Sequence, residues 1–66
     1  MSNTDFARQV IQQAKDSERK IAVVEASALP GKYQSIHRVI KAVSDNQSTV
    51  RLYRGKMVVV DLSWID

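Results

Sequence analysis

Three polar residues recur at helical spacing within residues 32–45, namely Gln34, Arg38 and Lys41. Spacings of four and three residues place them on one face of an α-helix. Amide, guanidinium and ammonium groups contact base edges and phosphates in protein–DNA complexes. The pattern therefore predicts a surface for an anionic partner, although a helix face that is only solvated would carry the same residue types.

Positive charge is concentrated in the second half of the chain. The 66 residues carry a formal net charge of +3. Residues 1–31 are balanced, with four basic and four acidic side chains, whereas residues 32–66 hold six basic and three acidic ones. Such asymmetry indicates an anionic partner, and solubility alone would explain it equally well. We predict nucleic-acid contacts at Lys32, Gln34, Ser35, Arg38, Lys41, Arg51, Arg54 and Lys56.

Catalytic groups are scarce in this sequence. His37 is the only histidine and cysteine is absent, so neither a histidine pair nor a thiolate can hold a metal ion. No nucleophile elbow, glycine-rich phosphate loop or zinc-protease motif occurs. Glu25 and Asp61 fall in predicted strands and could form a carboxylate pair, while a role of edge charges against aggregation is simpler. We predict that the protein is not an enzyme and uses no cofactor or metal.

Two amphipathic segments predict the helices that would position these residues. In residues 32–45 the apolar stripe opposite the polar face consists of Tyr33, Ile36, Val39, Ile40 and Val43. A first helix is expected to begin at a cap on Asn3 or Thr4 and to end near residue 16. Its apolar stripe consists of Phe6, Ala7, Val10, Ile11 and Ala14.

Residues 20–28 are ambiguous, and their conformation decides between two folds. A strand over residues 20–27 is favoured by three β-branched residues, Ile21, Val23 and Val24. A helix capped by a preceding serine is the alternative. The following Pro30 and Gly31 predict a type II turn, in which Gly31 adopts a positive φ.

A β-hairpin is predicted near the end of the chain, with strands at residues 49–54 and 57–62 and a turn at Gly55. Residues 57–60 are apolar on both faces, which is typical of a central strand or of a dimer seam. The pairing register stays open, because two turn lengths each give a sensible alignment. Trp64 could cover the open end of the sheet, or a protein interface could form from Tyr53, Met57 and Trp64.

These elements predict a single small α+β domain over residues 1–66. Two helices would lie on one face of a three-stranded sheet, in the order α-β-α-β-β. The alternative is a winged helix-turn-helix fold in the order α-α-α-β-β. The expected core consists of Phe6, Val10, Ala14, Ile21, Val23, Ile36, Ile40, Val43, Val50, Leu52, Val58 and Val60.

Part of the second half resembles winged helix-turn-helix regulators. The resemblance rests on Leu-Pro at residues 29–30, on the run S-I-H-R-V-I-K-A at residues 35–42, and on the hairpin that follows. It implies that this helix enters the major groove of DNA and that the hairpin touches the flanking backbone. By position it implies base or phosphate contacts from Gln34, Ser35, Arg38 and Lys41, and a wing tip formed by Arg54 and Lys56.

We therefore expect a small basic nucleic-acid-binding protein, a DNA-binding regulator that acts as a homodimer in the cytoplasm. The polar N-terminus lacks the apolar segment of a signal peptide, and the longest apolar runs are too short to cross a bilayer. No membrane partner is expected. The alternative is a small inhibitor or adaptor that binds a protein and has no nucleic-acid role.

Overall fold

The computed structural model describes residues 2–62 and confirms the predicted α+β fold in the order helix, strand, helix, strand, strand. Two helices cover a three-stranded antiparallel sheet, and a short 3-10 helix follows the first strand. The elements are α1 Asn3–Asp16, β1 Ile21–Glu25, the 3-10 helix Ala26–Ala28, α2 Tyr33–Val43, β2 Thr49–Tyr53 and β3 Met57–Asp61.

The ambiguous segment forms a strand, which excludes the winged helix-turn-helix alternative. Residues 21–25 make β1, shorter than the predicted 20–27, because the chain turns into the 3-10 helix at Ala26. The backbone N–H of Ala26 donates to the carbonyl of Lys56 at 2.7 Å, so this corner is held against the hairpin turn. The second helix is also shorter than residues 32–45, with Lys32 as its N-cap and Ser44 as its C-cap.

The central strand of the sheet is β3, as its apolar composition predicts. The strand order is β1-β3-β2, and β3 pairs antiparallel with both neighbours. Val60 lies opposite Ala22 on β1 and Val50 on β2, while Val58 lies opposite Val24 and Leu52. The register that the sequence left open is thereby fixed, and alternate residues of all three strands face the helices.

Both helices lie on the same face of the sheet and enclose the core between the two layers. The first helix packs on β1 and β3, and α2 packs on α1 and β2. Ile36 and Ile40, one turn apart on α2, are fully buried. The buried apolar residues are Ala7, Val10, Ile11, Ala14, Ala22, Ile36, Ile40, Val50, Val58, Val60 and Leu62.

Three residues predicted for the core are exposed instead. Val23 is 48% exposed because it points to the sheet face that the helices do not cover. Val43 and Leu52 are 37% and 39% exposed, because each lies near an end of its element, where the opposing layer stops. Phe6 and Ile21, also predicted for the core, are half-buried.

The structure also corrects the predicted cap of α1 and the predicted turn before α2. Ser2, rather than Asn3 or Thr4, caps α1, since its Oγ accepts the backbone N–H of Asp5 at 3.1 Å. Gly31 does not adopt a positive φ. A Cβ there would lie 3.0 Å from the Oδ1 of Asn3, the end of a flexible side chain that needs to shift by only a few tenths of an ångström. Gly55 has a φ of +67°, as the predicted hairpin turn requires.

Two substitutions on α2 test which of its apolar residues hold the fold. We expect Ile40→Ala to lower the free energy of unfolding by roughly 2–5 kcal/mol, because it leaves a cavity in the core. We expect Val43→Ala to cost less than about 1 kcal/mol, because Val43 is partly solvated and alanine favours a helix. Urea denaturation followed by circular dichroism measures both values. Equal losses would contradict the packing described above.

Candidate nucleic-acid interface

The free face of α2 is centred on Arg38. At about 100° per residue, Arg38 lies opposite the direction of the buried Ile36 and Ile40. Gln34 and Ser35 lie on either side of it one turn earlier, and both are exposed. Lys32 is exposed at the N-cap of the same helix. Helical geometry therefore brings the predicted contact residues within α2 onto one side of the helix, whereas Lys32 lies outside the helical periodicity. The residues on that side are Gln34, Ser35, Arg38 and Lys41.

The basic side chains on this side lack acidic neighbours in ion-pair contact. Within residues 2–62 the structure gives Lys32 and Arg38 no carboxylate partner. Next to Arg38 the surface has an open depression of about 530 Å³, which extends along the last turn of the helix. Its lining includes one acidic residue, Asp45, and it is formed by His37, Arg38, Lys41, Ala42, Asp45 and Asn46.

Lys41 differs from its neighbours because its ammonium group is engaged. The Nζ atom donates to the backbone carbonyl of Ser48 at 2.6 Å, and the side chain is half-buried. Ser48 is fully buried, and its hydroxyl shares a hydrogen bond of 2.8 Å with the hydroxyl of Ser44. These contacts tie the end of α2 to the loop that leads into β2. Lys41 thus has a structural bond that competes with a phosphate contact.

His37 packs against its own helix rather than standing free in solvent. It is half-buried, and its ring centroid lies 5.8 Å from that of Tyr33 in an edge-to-face arrangement. The Tyr33 hydroxyl reaches the backbone carbonyl of Val50 at 3.5 Å, at the long limit of a hydrogen bond. Tyr33 therefore joins α2 to β2 at the flank of the polar face, and His37 packs on the Tyr33 ring.

The predicted hairpin contacts fall into two groups. Arg54 and Lys56 are exposed in the turn between β2 and β3, and Arg54 adopts a φ of +54° beside Gly55. Arg51 lies opposite Val59 of β3, on the sheet face that points away from both helices. The sheet thus separates Arg51 from Arg38, and a single flat contact surface does not contain both.

The residues proposed for a protein interface are placed only in part. Tyr53 and Met57 lie opposite each other on the uncovered sheet face, where Tyr53 is 48% exposed. Trp64 lies outside the described residues. Sequence reasoning missed Val59 as a member of this surface. Side chains of a strand alternate between its two faces, so the sequence places Val59 on the same face as Met57. Only the structure shows that the helices leave this face uncovered.

The proposed carboxylate pair does not form. Glu25 lies opposite Met57, whereas Asp61 lies opposite Ile21, so the two carboxylates sit at opposite ends of the β1–β3 ladder. Four residues of strand separate them by about 13 Å. In the described part of the chain no three potential metal-ligating side chains of histidine, aspartate or glutamate are grouped around a possible ion.

No protein-family model matches this chain, and none of the curated proteins or solved structures compared with it matches either. None of the helices within residues 2–62 has the length and apolarity needed to cross a membrane.

A comparison of two basic residues on α2 tests the structural role of Lys41. We expect Lys41→Met to lower the free energy of unfolding by about 1–2 kcal/mol, because the carbonyl of the buried Ser48 loses a charged donor. The control Arg38→Met introduces the same methionine side chain on the exposed face and should change stability by less than about 0.5 kcal/mol. Urea denaturation measures the free energy of unfolding of both variants. Equal values for Lys41→Met and Arg38→Met would contradict a structural role of Lys41.

Proposed function

We propose that this protein is a small DNA-binding regulator that contacts duplex DNA in the cytoplasm through the exposed face of α2. The observation that carries the proposal is the placement of Arg38 and Gln34 on one solvent-facing side of α2, with Lys32 exposed at its N-cap. The same side chains have no carboxylate partner within the described chain. A helix presented in this way has the diameter to enter a major groove.

The charge distribution supports an anionic partner. The whole net charge of +3 belongs to residues 32–66, which contain α2 and the hairpin. Lysine and arginine side chains that approach phosphates release condensed counterions, and this release drives association at low salt. Arg54 and Lys56 in the exposed turn add basic groups that could contact backbone phosphates beyond the helix.

The residues on α2 divide into different expected roles. Arg38 can donate two hydrogen bonds to a guanine edge or to a phosphate, and Gln34 can bond an adenine edge. Lys32, at the start of the helix, suits a phosphate contact. Lys41 contributes less than its charge suggests, because the Ser48 carbonyl already binds its ammonium group. The proposal therefore rests on Arg38 more than on Lys41.

A second candidate function, a protein-binding adaptor or inhibitor, is favoured by a different observation. The sheet face opposite the helices exposes Val23 and Tyr53, and apolar side chains of this kind are typical of protein contact surfaces. This face is separate from α2. The two candidates therefore make separate predictions about which substitutions matter.

Titration of a fluorescently labelled DNA duplex tests the first candidate. We expect binding at low salt, with a dissociation constant that rises steeply as salt is added. The variant Lys32→Glu with Arg38→Glu should weaken binding by more than about tenfold and lower the salt slope by about two, because two phosphate-reaching cations become anions. Fluorescence anisotropy at several salt concentrations measures both quantities.

The matched control is Arg8→Glu with Arg19→Glu, which makes the same change in net charge. Both control residues are exposed and lie outside α2, Arg8 on α1 and Arg19 in the turn that follows α1. We expect this variant to keep most of the affinity of the unmodified protein. No binding at low salt, or equal losses for the two double variants, would refute a DNA site on α2. Tighter binding to single- or double-stranded RNA of the same length would assign the site to RNA.

A further inference from the structure

The sheet face opposite the helices carries a continuous apolar band. Side chains from all three strands meet there, because residues that alternate with the core positions point to this side. Val59 lies at the centre of β3 and is half-buried, with Val23 beside it on β1. The band consists of Ile21, Val23, Tyr53, Met57 and Val59, and no element within residues 2–62 covers it.

Charged residues of opposite sign flank this band on the two edge strands. Arg51 lies on β2 and Glu25 lies on β1, with β3 between them. Both are exposed, and within the described chain neither has an ion-pair partner. Side chains on one sheet face stand roughly parallel to each other, so these two do not point at each other within one copy. The face is positive along one edge and negative along the other.

We propose that a second copy of this chain packs on this face, with the two sheets related by a twofold axis parallel to β3. Such an axis stacks β1 of one copy on β2 of the other, so each positive edge meets a negative edge. The Val59 side chains of the two copies then meet at the axis. The Cα atoms of Arg51 and of Glu25 in the second copy would be about 12 Å apart for sheets packed about 10 Å apart.

The two charged side chains point toward each other across that gap, and together they can span it. The same axis brings Asp61 of both copies to one end of the interface. The two carboxylates repel each other there, which is a further reason for a weak contact. Self-complementarity of charge is the reason for choosing a second copy over an unrelated protein, because one face supplies both halves of the contact.

The size of the face sets the strength of the contact. Three strands of five residues cover about 14 Å by 17 Å, or roughly 240 Å² of footprint. Standard protein interfaces bury about 800 Å² on each partner. We therefore infer a weak, concentration-dependent dimer with a dissociation constant above about 1 μM.

Sedimentation equilibrium from about 10 μM to about 1 mM tests for such a dimer in that affinity range. The unmodified protein should shift from monomer to dimer across this series. Val59→Glu places a charge at the centre of the face and should leave only monomer. Gln34→Glu adds the same charge on the exposed face of α2 and should leave the dimer unchanged. Thermal unfolding of each variant checks that it is folded.

An exchange of the two edge charges provides an independent test that leaves the apolar band intact. Arg51→Glu and Glu25→Arg should each weaken the dimer by about tenfold or more, because like charges then face each other. The double variant, Arg51→Glu with Glu25→Arg, should recover most of the affinity. Recovery would identify the two edges as partners across the interface, whatever the stability of the Val59→Glu variant.

Several results would overturn the proposal. They include a protein that stays monomeric at about 1 mM, a dimer that Val59→Glu does not affect, and a double variant as weak as the single ones. A stoichiometric complex with a different protein that displaces self-association would assign the face to that protein. None of these results decides whether the protein binds DNA, because the substitutions on which they depend, at Val59, Arg51 and Glu25, are not on α2.

Discussion

The position of β3 between β1 and β2 is the constraint on which the rest of this structure depends. The backbone N–H and C=O groups of a strand that is paired on both edges are all engaged in the sheet. The two faces of such a strand differ only in the side chains that they carry. In β3 both rows are apolar from Met57 to Val60, and Asp61 ends the row that faces away from the helices. Val58 and Val60 face the helices and are buried, whereas Met57 and Val59 face the other way and are half-buried. The strand therefore supports a core on one side and leaves an apolar surface on the other.

The same layering separates the two candidate surfaces from each other. The polar face of α2 points away from the sheet, and the open sheet face points away from the helices. A protein of 66 residues has little room for two independent contact surfaces. A fold with two layers, however, always has two outer faces, which here are the outer face of the helices and the open face of the sheet. Substitutions on one side can therefore change one activity without changing the other, provided that they leave the core between the layers intact.

Sequence patterns within each segment were sufficient to predict the helices and strands. The exposure of individual side chains and the contacts between segments depended on the three-dimensional structure. The β-branched cluster at residues 21–24 correctly indicated a strand, and helical periodicity correctly placed Ile36 and Ile40 in the core. Periodicity could not show that Val23 is exposed, because both faces of a strand look alike until it is known which one the helices cover. The bond between Lys41 and Ser48 was equally hidden, because it depends on the path of the loop that returns to β2.

The layered geometry also constrains how a dimer could bind DNA. If two copies pack through their open sheet faces, their helices form the two outer layers of a four-layer assembly, and the two α2 faces point in opposite directions. A regulator that reads two half-sites on one duplex presents both recognition helices to the same side of the DNA. The proposed dimer does not present its two α2 helices to the same side of one duplex. Its two basic faces would bind separate duplexes, or distant segments of one bent duplex, so dimer formation would bring DNA segments together rather than lengthen the sequence that is read.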